Sequence, residues 1–403
     1  MIKNFAVNNL ALRLGLIIIC FGTFLPGFKC HAQQTAESSY SNGWQKVSAN
    51  QPDAAIADFT SAIQMSTNQS LTYQGYESRG RAEDWKGDHA AALADFGRAI
   101  VLEPTFWQAY YDRAVLENSQ TNMDAALADF GSAIKYNPHC SDAYLLSSDL
   151  FARKNYLDSA IAEINQYIAL NPTNSAGYIR RASLETRNKN FEAAIADYSQ
   201  VIAMDPANLD AYLMRGQVKA RKNDYHGAIA DFNHVIELDP QNYFHYKQRG
   251  AIELWAGDLN AALADMTRSI QLNPTNSRGY SDRGAIEFQK GDFKAASADA
   301  AQAIQIDPKN IEAYTVRGMA RCALGDNAGA TEDFDKVNQL IVAGLPSTPA
   351  FRALNQGWLD YSKGEYEMAI TSWGDAVNQS PFLRRELQPW VDKAHAKLQA
   401  QKF

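Results

Sequence analysis

Cysteine is scarce in this chain: there are four in 403 residues, and two of them, Cys20 and Cys30, fall within the first 32 positions. A disulfide framework is thereby excluded, because a long exported chain stabilised by crosslinks carries many more. Basic residues are in deficit, 38 against 45 acidic, for a formal charge of −7. That balance disfavours nucleic acid, whose phosphates reward clustered Lys and Arg. Histidine is sparse and scattered. His226 and His234 lie eight residues apart, about two helical turns, and lack the Glu-bearing pattern of a zinc helix. There is no glycine-rich phosphate loop and no nucleophile elbow, so no catalytic residue, metal ligand or cofactor is assigned.

Acidic residues are also missing from positions 1–32, which hold Lys3, Arg13 and Lys29 around the apolar run "LGLIIICFGTFLPGF". A basic start, an apolar middle and small Ala32 form the layout of a secretory signal peptide. The run is broken by Gly22 and Pro26 and falls short of the roughly 20 residues a membrane helix needs. Its removal would take the charge from −7 to −10 as those three cations leave, and no integral membrane span is expected afterwards. Neither Cys20 nor Cys30 has the small-residue neighbourhood of a lipoprotein cleavage site. With 46% apolar and 11% aromatic residues, the remainder has ample material for a core.

What is present is one line written many times. "ALADFGRAIVLEP", "AIADYSQVIAMDP" and "AIADFNHVIELDP" each end at a proline, and Pro104, Pro138, Pro172, Pro206, Pro240, Pro274 and Pro308 follow one another at 34 residues. Such a period marks a repeat architecture. With that proline at position 32 of each unit, Tyr recurs at 4 (Tyr76 to Tyr314). Gly recurs at 8 (Gly80, Gly216, Gly250, Gly284, Gly318), Ala at 20 (Ala92 to Ala330), and a bulky residue at 24 (Phe96, Phe130, Tyr198, Phe232, Phe334). Small residues at 8 and 20 let two helices approach, and the rings fill the space around that contact. Asp88, Asp224, Asp258, Asp292 and Asp326 are placed to cap the second helix of a unit; Asn174, Asn208, Asn242, Asn276 and Asn310 are placed to cap the first helix of the next.

These residues resemble the tetratricopeptide repeat, a 34-residue helix-turn-helix. The resemblance implies an all-α fold, a right-handed superhelical solenoid of antiparallel helix pairs. Its expected organisation is a signal peptide at 1–32, a degenerate first repeat and cap at 33–72, and eight regular units over 73–344. A last unit follows at 345–383 after an insertion around "AGLPSTPA", then a capping helix at 384–403 with Trp390, Val391, Ala394 and Leu398 on one face. Ser148 in place of the position-8 Gly, Tyr167 at position 27 and Ala300 at position 24 depart from the pattern.

The resemblance also implies a binding groove lined by positions 2, 5, 9, 12 and 13 of each first helix. The first regular unit places Gln74, Glu77, Arg81, Asp84 and Trp85 there. Desolvated aromatic groups carry most of the energy at such surfaces, which selects Phe244, Lys247, Trp255, Arg278 and Phe288, with Trp358 and Tyr361 as a second cluster. The Lys/Asn clamp by which some relatives capture a terminal carboxylate has no counterpart in adjacent units. The recurrent pair of Arg at 7 and Asp at 23, from Arg79 with Asp95 to Arg317 with Asp333, reads as structural because it repeats unit after unit. Cys140 and Cys322, five repeats apart, are expected to be free thiols. The function implied is a non-enzymatic scaffold that binds another protein or a peptide segment, in a periplasm or outside the cell. The rivals are a self-assembling structural protein, a homo-oligomer, and an accessory subunit that regulates a separate enzyme.

Overall fold

The computed structural model describes residues 28–401. Positions 1–27, with the basic residues Lys3 and Arg13 and the apolar run of the expected signal segment, lie outside the described residues. Every described element is an α-helix, and the chain divides into two compact units, Met1–Leu170 and Asn171–Phe403. The first contains α1 (Phe28–Ser48), α2 (Pro52–Met65), α3 (Gln69–Lys86), α4 (His89–Leu102), α5 (Trp107–Ser119), α6 (Met123–Tyr136), α7 (Ser141–Arg153) and α8 (Leu157–Leu170). The second begins with α9 (Ser175–Arg187), α10 (Phe191–Met204), α11 (Leu209–Arg221), α12 (Tyr225–Leu238), α13 (Tyr243–Ala256) and α14 (Leu259–Leu272). It continues with α15 (Ser277–Lys290), α16 (Phe293–Ile306), α17 (Ile311–Leu324), α18 (Asn327–Val342), α19 (Pro349–Lys363), α20 (Tyr366–Gln379) and α21 (Leu383–Ala400).

Within each unit consecutive helices pair, and the sequence shows why they stop and start where they do. The residue before each repeat proline is driven out of the helical region: Glu103, Asp205 and Asp307 are all extended. Asp88, Asp224, Asp258, Asp292 and Asp326 each accept from a backbone N–H in the first turn of the following helix. Asn174, Asn208, Asn242 and Asn310 do the same for the first helices, whereas Asn276 makes no such bond. Asn310 caps with its oxygen while its amide donates to Ser277 at 2.7 Å.

The turn between paired helices has a fixed demand. Gly87, Thr121, Asn155, Lys189, Asn223, Gly257, Gly291 and Gly325, spaced by 34, all adopt positive φ, although only four of them are glycine.

The core is built by the expected close approach. All eight position-20 alanines, Ala92 to Ala330, are fully buried. A Cβ on Gly318 would lie 2.7 Å from the Phe334 ring, and one on Gly80 2.8 Å from Phe96. Gly43 meets Phe59 in the same way, so α1 and α2 form a pair of the regular kind. Ser148 fits at position 8 because its hydroxyl donates to the Ala160 carbonyl at 2.8 Å. Expected cleavage after Ala32 would shorten α1 but keep its buried residues Ala36 and Gly43.

Candidate functional site

The Arg–Asp pairs join the two helices of one repeat. Arg215 donates through Nε and Nη2 to both Asp231 oxygens at 3.0 and 2.7 Å, and Arg79, Arg113, Arg181, Arg249, Arg283 and Arg317 form the same fork. The third nitrogen reaches the preceding repeat: Arg215 Nη1 donates to Ser199, Arg249 to Asn233 and Arg283 to Thr267. The position-4 tyrosine of each of these units lies under the guanidinium, 5.3 to 5.9 Å away. With its carboxylate buried and its Tyr face covered, this group is a fastener within and between repeats.

The positions expected to line a groove lie elsewhere on the first helices. On α13, Phe244 is 43% exposed and Trp255 61% exposed. Eleven residues separate them, so they share one side of the helix about 16 Å apart. Trp255 leans on Tyr225 of α12 with ring centres 6.5 Å apart. Lys247 lies between them along the helix. Its Nζ sits 3.3 Å from Asp282 of α15, whose carboxyl burial raises above its usual range while Lys247 draws it down. Arg278 pairs with Glu312 at 3.0 Å, both largely solvated; such a pair contributes little. Neither cation is left free for an anionic ligand.

The remaining three expected groove residues are placed differently. Phe288, Trp358 and Tyr361 are buried in one cluster with Phe334, Trp373 and Trp390. Trp358 is fully buried, with its ring centre 5.1 Å from Trp373 and 4.9 Å from Trp390. Phe288 stacks on Trp390 at 5.8 Å. The expectation that these three rings present an open anchor surface is corrected: α21 lies over them, with Trp390 against all three. Sequence reasoning placed Trp390 on the apolar side of a terminal cap and missed its destination; the matching run of rings at positions 9 and 12 was the available signal.

In the first unit, Glu77 is buried and accepts from Ser78 and Arg81, and burial and then Glu77 raise the Asp112 carboxyl well above its usual range. Trp85 stays half-exposed. Cys140 and Cys322 are free and buried. Burial pushes the Cys322 thiol up to about 12, which leaves it protonated and unreactive at neutral pH. Among the described residues there is no group of His, Cys, Asp and Glu arranged to hold a metal ion, and no described helix is long and apolar enough to cross a membrane.

Paired helices, locked by a recurrent fork and joined by left-handed turns, define a helical repeat array. The array contains tetratricopeptide repeats: residues 111–175 and 179–243 match one family model of that description, and 277–310 match another. No curated protein matches the sequence. Among solved structures the chain is similar to a tetratricopeptide repeat protein from Parabacteroides merdae, at 17% identity over 63% of this chain and 99% of that one, TM-score 0.41. It is similar to YrrB, described as a tetratricopeptide repeat protein with an unusual peptide-binding site, at 17% over 44% and 92%, TM-score 0.39. Yeast Tom70 aligns at 14% identity over 92% of this chain and 96% of its own, TM-score 0.40.

Proposed function

We propose that this chain is a non-enzymatic scaffold that holds a segment of another protein against the first-helix surface centred on α13, and that it works outside the cytoplasm after loss of residues 1–32. The carrying observation is the pair Phe244 and Trp255, two large rings left in solvent on one side of a helix whose neighbouring cations are already neutralised. Isolated exposed apolar residues are ordinary, but two aromatic groups at a fixed span are suited to anchor a ligand. The span of about 16 Å matches three turns of a partner helix or five residues of an extended segment.

The test is capture from a non-cytoplasmic extract of the native organism by residues 33–403, beside a Phe244→Ala, Trp255→Ala variant of unchanged helix content. Retention of a discrete protein by the parent and its loss by the variant is the expected result. Equal retention by both moves the binding surface elsewhere. Recovery of the chain alone, with mass rising with concentration, favours self-assembly, and a captured partner with catalytic motifs favours the accessory-subunit reading. N-terminal sequencing of the native protein is expected to begin at Gln33; a start at Met1 overturns the export reading.

A further inference from the structure

The seat of α21 is more than an end cap. A helix covering only the last pair would touch α19 and α20, yet Trp390 also reaches Phe288 of α15 and Phe293 of α16, and Gln289 of α15 donates to Glu386 at 3.1 Å. It therefore crosses the first-helix face at positions 9 (Trp358), 12 (Phe288 and Tyr361) and 13 (Gln289). The anchors it inserts are few: Leu387, Trp390 and Ala394 are its only buried residues.

The seat also carries unmet polar demands. The Nε1 donors of Trp358 and Trp373 are buried without an acceptor, a state that weakens the packing around them. Pro389 lies inside the helix, has no N–H, and leaves the carbonyl one turn earlier without its helical donor.

From this geometry we infer that α21 is a built-in, displaceable occupant of a helix-binding groove formed by α15, α16, α19 and α20, and that the groove's outside ligand is an amphipathic helix presenting a Leu-x-x-Trp pair. The observation that names this chemistry is the occupant itself, whose Leu387 and Trp390 fill the seat. Only Ser380, Pro381 and Phe382 separate α21 from α20, and Phe382 is 87% exposed. That tether holds α21 at millimolar effective concentration, so the closed form taxes any outside ligand in proportion to the fraction of time the groove is open. The inference rests on the reading of first-helix surfaces as binding surfaces, but it concerns α15, α16, α19 and α20 and not α13.

The test uses the full chain and, as probe, a labelled synthetic peptide of residues 383–400. A Leu387→Ser, Trp390→Ala chain, checked for helix content, is expected to bind the probe at least about 30-fold more tightly than the parent, because its own helix no longer competes. A probe carrying Trp390→Ala is expected to bind that chain about 30-fold more weakly. A folded variant that binds the probe no better than the parent overturns the proposal. Should the variant fail to fold, amide exchange on the parent decides: α21 exchanging well ahead of α15, α16, α19 and α20 supports displacement, and exchange only together with them makes α21 a fixed cap. Neither arm touches Phe244 or Trp255, so failure here leaves the α13 surface standing, and failure of capture at α13 leaves this groove standing.

Discussion

At the scale of single residues, the repeat is held by exclusions as much as by contacts. Gly318 sits where any side chain would press on the Phe334 ring, which is itself fully buried and has nowhere to move. Overpacking of this kind costs typically 1–3 kcal/mol, against a helix-propensity gain of about 1 kcal/mol for Ala over Gly. Gly318→Ala is expected to lower stability by about 1–2 kcal/mol in urea unfolding; an unchanged midpoint would show that the pair can slide apart. The left-handed turn gives the opposite case. Thr121 holds φ 67 with a β-branched side chain, where Gly257 and Gly291 meet the same demand without a Cβ. Thr121→Gly is expected to stabilise the protein by up to about 1 kcal/mol, read as a rise in Tm. The glycine at position 8 was legible from the period, but that Thr, Asn and Lys adopt the same left-handed turn as Gly257 and Gly291 was not, because a turn enforced by two packed helices overrides local preference.

At the scale of the helix pair, the Arg–Asp fork is the device that sets register. Asp231 is 2% exposed and accepts from Arg215 and from Lys219. Its removal leaves two partly buried cations facing each other. Asp231→Ala is expected to cost about 3 kcal/mol, the usual scale for breaking a buried pair from one side, whereas an exposed pair such as Arg278 with Glu312 is expected to cost under about 1 kcal/mol when broken. Matched unfolding curves for Asp231→Ala and Glu312→Ala check the contrast, and equal losses would refute the burial argument. The sequence showed the pairing through its recurrence. It did not show the third nitrogen of Arg215 reaching Ser199 in the preceding repeat, since that contact depends on how two units stack.

At the scale of the molecule, stability in a repeat array is close to a sum over units and their interfaces, so a charge misplaced in a repeat adds up. Position 11 shows this. Lys219 and Arg321 support the neighbouring Asp231 and Asp333, but Glu253 and Glu287 face Asp265 and Asp299. Burial, and then the charge of Asp265, pushes the Glu253 carboxyl from its ordinary 4.5 up to about 7; burial and Asp299 do the same for Glu287. Both acids hold a proton more tightly folded than unfolded. Their share of stability is therefore fully present below about pH 4.5 and is lost as pH rises to about 7, with little further change above. A Glu253→Gln, Glu287→Gln variant is expected to match the parent near pH 5 and to exceed it at pH 8 by an amount on the order of 1 kcal/mol, since partial solvation screens the full effect. Parallel Tm profiles from pH 5 to pH 8 would remove this account.

The period of 34, the capping Asp and Asn residues, and the small-against-aromatic matching are local and pairwise properties, and the sequence by itself determined the helix pairs from them. Tertiary structure decided which aromatic residues face solvent. Phe244, Trp255, Phe288, Trp358 and Tyr361 all stand at positions expected to line the groove, yet α21 covers the last three and leaves the first two open. Burial depends on what a distant helix finds to pack against, and that is not written in the spacing of any one repeat.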